Sequence, residues 1–217
     1  MMNEKVGEIF SIAKTNTPIP GCTVSKEVYR GSNSITYFSM AKNTDISGEI
    51  YNFHKLFFIV DGSMEIYGDG FEKKLEVNEA IITPMGVALG IRTKESVIFI
   101  EISINKEDVM NNQIKIGDVF RLKDLVPYSE GKIVNMDIMH NDKMKFALMA
   151  FDEGTELSEH AAPGEALVIA LDGEGIIGYE GREYEIKEGE NFIFEKEGKH
   201  FVKAKKKFKM ALVLSLE

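Results

Sequence analysis

DGSMEIYGDGFEKKLEVNEAIITP, from Asp61 to Pro84, and DGEGIIGYEGREYEIKEGENFIFE, from Asp172 to Glu195, are two copies of one pattern. They align without a gap at an offset of 111 residues, and the register carries on to VIFIEISI (Val97 to Ile104) over FKMALVLS (Phe208 to Ser215). The openings match as well, GEIFSI from Gly7 against GDVFRL from Gly117, at an offset of 110, so one indel separates the registers. A repeat this long exceeds the roughly 20–50 residues of a solenoid unit and predicts two similar folds in tandem. The expected domains are residues 1–108 and 109–217, joined by the polar stretch Asn105 to Gln113. A residue present in one copy and missing from the other is not required by the fold, so function is to be sought in the asymmetries.

Working outward, each half reads as short strands separated by turns. In REYEIK, Tyr184 and Ile186 take one face and Glu183, Glu185 and Lys187 the other, the period of a half-buried strand. Asp69-Gly70 and Glu180-Gly181 sit where tight turns need positive φ angles. LFFIV (Leu56 to Val60) and ALVIAL (Ala166 to Leu171) suit the buried middle of a sheet. Helical spacing is nearly confined to Val6, Ile9, Phe10 and Ala13, which predicts one short N-terminal helix. Many strands with frequent turns predict an all-β protein, one sandwich or barrel per half.

Composition narrows the function classes. The apolar share is 44%, the charged share 28%, and the net charge of −9 is divided almost evenly between the halves. No basic face stands out, which argues against nucleic acid as a partner. KAKKKFK (Lys203 to Lys209) reads as a solvated hairpin connection. The single cysteine, Cys22, excludes an intrachain disulfide and fits a reducing cytoplasm. No stretch is long and apolar enough for a membrane helix or a signal peptide. The expectation is a soluble cytoplasmic protein with no membrane or nucleic-acid partner. Apolar strands and open sheet edges favour a homodimer or an intramolecular pairing of the two barrels.

GTELSEHAAPGEALVIALDGEG (Gly154 to Gly175), followed by GENFIFEKEGKHFVKA (Gly189 to Ala204), resembles the two sequence motifs of the cupins. Gly154, His160 and Gly173 fit the first motif, and Gly189 and His200 fit the second. The C-terminal half is similar to small single-domain bacterial cupins, and the repeat extends the resemblance to a two-barrel bicupin. The resemblance implies tandem cupin-type jelly-roll barrels. It also implies a divalent metal held by three His and a Glu. Here the second His position is Ala162 and the Glu position is Ala166, while Glu165 should face away from the barrel interior. Glu195 and Glu197 replace the Pro and Gly of the second motif. Only His160 and His200 remain, so the resemblance implies at most a weakly bound divalent transition metal.

The N-terminal copy keeps Pro84 and Gly86, but Glu49, Tyr51, Lys55 and Leu89 stand where His160, Ala162, Ala166 and His200 stand. It is expected to hold no metal and to pack, pair or enclose. The candidate ligand-binding residues are therefore His160 and His200, which also form the candidate, incomplete metal site. The dull alternative is a pair of core histidines bonded to backbone or water. His54 is expected on an exposed rim and His140 in a solvated turn. Phe151, Phe192 and Phe194 are expected to pack between sheets. No residue qualifies as catalytic. Three functions compete: a binding module with a small polar or anionic ligand in the C-terminal barrel, a metal-dependent oxygenase or isomerase with a reduced His site, and an inert dimerisation scaffold.

Overall fold

The computed structural model describes residues 2–217. Among them the regular structure is almost wholly antiparallel strand, with one α-helical turn at Ile12–Thr15 and one 3-10 turn at Leu122–Asp124. The helix expected from Val6, Ile9 and Phe10 is thus reduced to its end. The reason lies in the backbone: the N–H groups of Gly7 and Phe10 donate to the carbonyls of Ile193 and Asn191 instead of closing helical turns. Val6 and Ile9 pack on the core beneath those strands.

The repeat is visible strand by strand. His54–Gly68 matches Glu165–Tyr179, Phe71–Glu76 matches Arg182–Lys187, and Asp45–Ile50 matches Glu156–Ala161. Even the irregularities recur. The ladder slips between Ile46 and Glu49 in one copy and between Leu157 and His160 in the other. It slips again between Ile59 and Asp61, and between Ala170 and Asp172. Such bulges bend a long strand so that it can serve two sheets of one barrel. The stretch Lys203 to Lys209 lies within a strand of this kind, Lys199–Ser215, rather than in a hairpin connection. Lys203, Lys205, Lys206 and Lys207 run along the outside, Lys205 paired with Glu185 and Lys206 with Glu174, while Ala204 and Phe208 point into the core and the buried Lys209 donates to the Lys123 carbonyl.

Contacts divide the chain into two compact units. One comprises the residues up to Ser11, Val109–Asn111 and Leu122–Glu217; the other comprises Ile12–Asp108 and Asn112–Arg121. The simple division at 108/109 is therefore corrected at the ends, which are exchanged reciprocally. Gly7 donates to Ile193 O and Phe10 bridges Asn191, whereas Gly117 donates to Ile82 O and Phe120 pairs with Ala80. These are equivalent contacts in the repeat, each made by the opening segment of one copy to the sheet of the other. The stretch read as a plain linker contains the short strand Val109–Met110, paired with Met139 and His140.

Each unit has its own core. The C-terminal core stacks Phe151, Phe192, Phe194, Phe208 and Tyr179 around Ala162 and Ala166. Phe192 and Phe194 lie 5.2 Å apart, ring centre to ring centre, and Tyr179 meets Phe192 edge-on at 5.5 Å. The N-terminal core gathers Phe57, Ile59, Met64, Ile66 and Phe99, with Phe38 stacked on Phe99 at 5.0 Å.

Candidate functional site

His160 and His200 are direct cross-strand partners, on Glu156–Ala161 and Lys199–Ser215. Their ring centres stand 4.2 Å apart. His200 is only 7% exposed and stacks on Phe194 at 3.9 Å, with the planes 23° apart. His160 is exposed. Each ring is oriented by the carbonyl two residues before it: His160 Nδ1 lies 2.9 Å from Ser158 O and His200 Nδ1 lies 3.0 Å from Gly198 O. A carbonyl can only accept, so each neutral imidazole carries its proton on Nδ1 and presents a lone pair on Nε2. Burial pushes the His200 imidazole down, against a smaller opposite effect of the Gly198 carbonyl, and neighbouring His160 lowers it further.

That shift has a sign for stability. A base whose folded value lies below its unfolded value stabilises the fold fully above the ordinary histidine range. The contribution is lost as pH falls through the depressed folded value. Thermal unfolding followed between pH 7.5 and 5 should therefore show an acid-side loss that is smaller in His200→Gln; equal losses in both proteins would remove His200 as the cause.

Around the histidines the expected gaps are real. Ala162 and Ala166 are buried in the aromatic core and offer no donor. Glu165 points the other way, its carboxylate accepting from the Met2 backbone N–H. Among the described residues no group of three or more His, Cys, Asp or Glu is placed to hold a metal ion. A stable site needs about three protein ligands, so this donor set does not fit a tightly held divalent metal.

The N-terminal barrel repeats the geometry with different chemistry. Glu49 pairs across the ladder with Leu89 as His160 does with His200. Here, however, the interior is open, with a cavity of about 140 Å³. Its apolar wall includes Phe38, Phe57, Ile66 and Ile91. Glu49, Tyr51, Lys55 and Leu89 all line it, together with Glu101. Lys55 Nζ reaches Glu101 at 3.1 Å, with both side chains largely buried, and lies 3.6 Å from the centre of the Tyr51 ring. The Tyr51 hydroxyl donates to the Glu49 carboxylate. Burial pushes the Glu101 carboxyl up, and the Lys55 ammonium only partly offsets this. His54, expected on a rim, is instead buried at 7% exposure, its Nδ1 2.7 Å from Thr83 O. It heads a strand whose first residues are covered, so it anchors a backbone carbonyl.

The sequence reading missed this cavity and Glu101. A signal was present: Lys55 and Glu101 are single charges in apolar strands, HKLFFIV and VIFIEISI. Their repeat counterparts are Ala166 and Leu212.

Two barrels with these strand partners and bulges, and paired positions Glu49/Leu89 and His160/His200, decide the relationship, and residues 147–216 match the Cupin domain family model. That segment is a cupin domain, and the chain has the cupin fold. Over 99% of both chains it superposes on a Cupin 2 conserved barrel domain protein from Leptotrichia buccalis, with a TM-score of 0.87 and 26% identity. Protein Ylba from E. coli matches 99% of this chain and 93% of its own, with a TM-score of 0.62 and 11% identity. A salicylate 1,2-dioxygenase from Pseudaminobacter salicylatoxidans matches 84% and 71%, with a TM-score of 0.60 and 10% identity. The last two likenesses concern the fold alone. No curated protein matches the cupin sequence significantly.

Proposed function

We propose that this cupin is a small-molecule-binding bicupin whose C-terminal barrel recognises its ligand through His160 and His200. The carrying observation is the facing pair itself, two rings 4.2 Å apart with each Nδ1 tied to a backbone carbonyl. Neutral imidazoles held this way accept hydrogen bonds, so they favour a ligand with hydroxyl or amide donors over an anion. A homodimer in a reducing cytoplasm completes the proposal. The terminal strand Thr23–Arg30 has a sheet partner on one side only, which supports pairing with a second copy, and Cys22 is exposed and unbridged. Light scattering in dilute solution checks the dimer, and a monomer mass would refute it.

A second reading keeps the family's metal chemistry, because an imidazole whose other nitrogen donates to a carbonyl is also how metal-binding histidines are held. Metal analysis of wild-type, His160→Ala and His200→Ala proteins separates the two. The binding-module reading expects substoichiometric, easily chelated metal. It also expects hydroxyl- and amide-bearing compounds, screened by ligand-observed NMR, to lose binding in either variant. Near-stoichiometric metal that survives chelation and vanishes in the variants would make this an oxygenase or isomerase candidate instead. Variants unchanged in metal content and binding would leave only a scaffold.

A further inference from the structure

We propose that the N-terminal barrel is a separate binding site for a neutral, one-ring compound whose polar head pairs a carbonyl with an N–H or O–H donor, as a primary aromatic carboxamide does. The size argument comes first. A cavity of about 140 Å³ with aromatic and aliphatic walls is close to the ~150 Å³ at which an apolar protein cavity takes up benzene. One ring fits.

The head-group argument rests on the buried pair. Lys55 and Glu101 neutralise each other at 3.1 Å and stand at the cavity wall as one donor beside one acceptor. A carboxamide can match both at once, its oxygen accepting from Lys55 and its N–H donating to Glu101. A carboxylate or an ammonium would bring an unpaired charge beside a pair that is already neutral and would bear its full desolvation cost. A plain hydrocarbon ring would leave both polar groups without a ligand partner.

The repeat supplies an independent reason to assign the pair to binding. At the equivalent positions the C-terminal barrel has Ala166, buried in its hydrophobic core, and Leu212, packed against that core. The barrel does not need an ion pair there. Tyr51 belongs to the same arrangement: its ring covers the Lys55 ammonium and its hydroxyl is fixed by Glu49 at the position where the other barrel has His160.

The test uses four probes of nearly one shape, benzamide, benzoate, benzylammonium and toluene, titrated into the full chain by NMR at pH 7.5. Benzamide is expected to bind saturably, with shifts in residues of the N-terminal barrel, and about tenfold more tightly than any of the others. Leu89→Trp, which puts an indole into the cavity, should abolish binding. Lys55→Met/Glu101→Leu keeps the volume and removes the polar pair, so it should lose the benzamide preference and take toluene at least as well. His160→Ala and His200→Ala should leave the benzamide-induced shifts of N-terminal-barrel residues unchanged, whatever happens to shifts in the C-terminal barrel, which separates the two sites. Tighter binding of either charged probe, indifference to Leu89→Trp, or loss of the N-terminal-barrel shifts in the histidine variants would overturn the assignment.

Discussion

Alanine at Gly173 is expected to lower folding stability by about 3–5 kcal/mol. Gly173 has a φ of +73°, and a Cβ there would sit 1.8 Å from the Lys207 carbonyl oxygen, which belongs to the paired backbone and cannot swing aside. Its repeat partner Gly62 is in the same position, with φ +77° and 1.9 Å to Ser96 O. Both glycines directly follow the slip at which the long strand bends between sheets. Gly62→Ala should therefore cost a similar amount. Gly70 is the control: its φ is +68°, but a Cβ there meets nothing within 4 Å, so Gly70→Ala should cost only about 1 kcal/mol. Denaturant unfolding monitored separately for each barrel reads all three. Comparable costs at Gly70 and Gly173 would show that the carbonyl contact does not matter.

Removing Lys55 alone is the second large effect. Lys55→Met strands the Glu101 carboxylate in a mostly apolar wall, and losing one partner of a buried pair typically costs about 3–5 kcal/mol. Adding Glu101→Leu should restore most of it, because both charges are then gone and the other barrel already packs Leu212 there. The loss should also depend on pH. A carboxyl raised in the folded state contributes stability below its unfolded value, and that contribution disappears as pH rises through the raised folded value. Lys55→Met should accordingly be least impaired in mild acid and most impaired at neutral pH, while the double variant should not share this dependence. A single variant as stable as wild type at neutral pH would mean that water reaches Glu101 freely.

These expectations show how unevenly the molecule could be read from its residues. Strand boundaries were legible because the repeat doubled every signal: Asp61-Gly62 and Asp172-Gly173 mark the same bend, and alternation in REYEIK marks the same strand as FEKKLE. The pairing of His160 with His200 was legible through the family motifs. The open interior of the N-terminal barrel was not, because cavity volume depends on how Phe38, Phe57 and Ile91 pack together from separate strands. Nor was the burial of His54, which follows from the strand ladder beside it rather than from its neighbours in sequence. The short N-terminal helix is present, but only at Ile12–Thr15, the end of the spacing that runs from Val6 to Ala13. Its apolar spacing is real, but sheet partners 181 and 186 residues away claimed the backbone before it.

That last feature governs how the chain comes off the ribosome. The strand Glu79–Ile82 gains its neighbour Val119–Arg121 only after residue 121 has been made, so the first barrel waits on the opening of the second repeat. Phe10 must remain unclaimed until Asn191 exists. Closing so long a loop is slow and leaves apolar segments uncovered in the meantime. A chain severed between the repeats would yield two fragments, each carrying the segment that pairs with its sister's sheet.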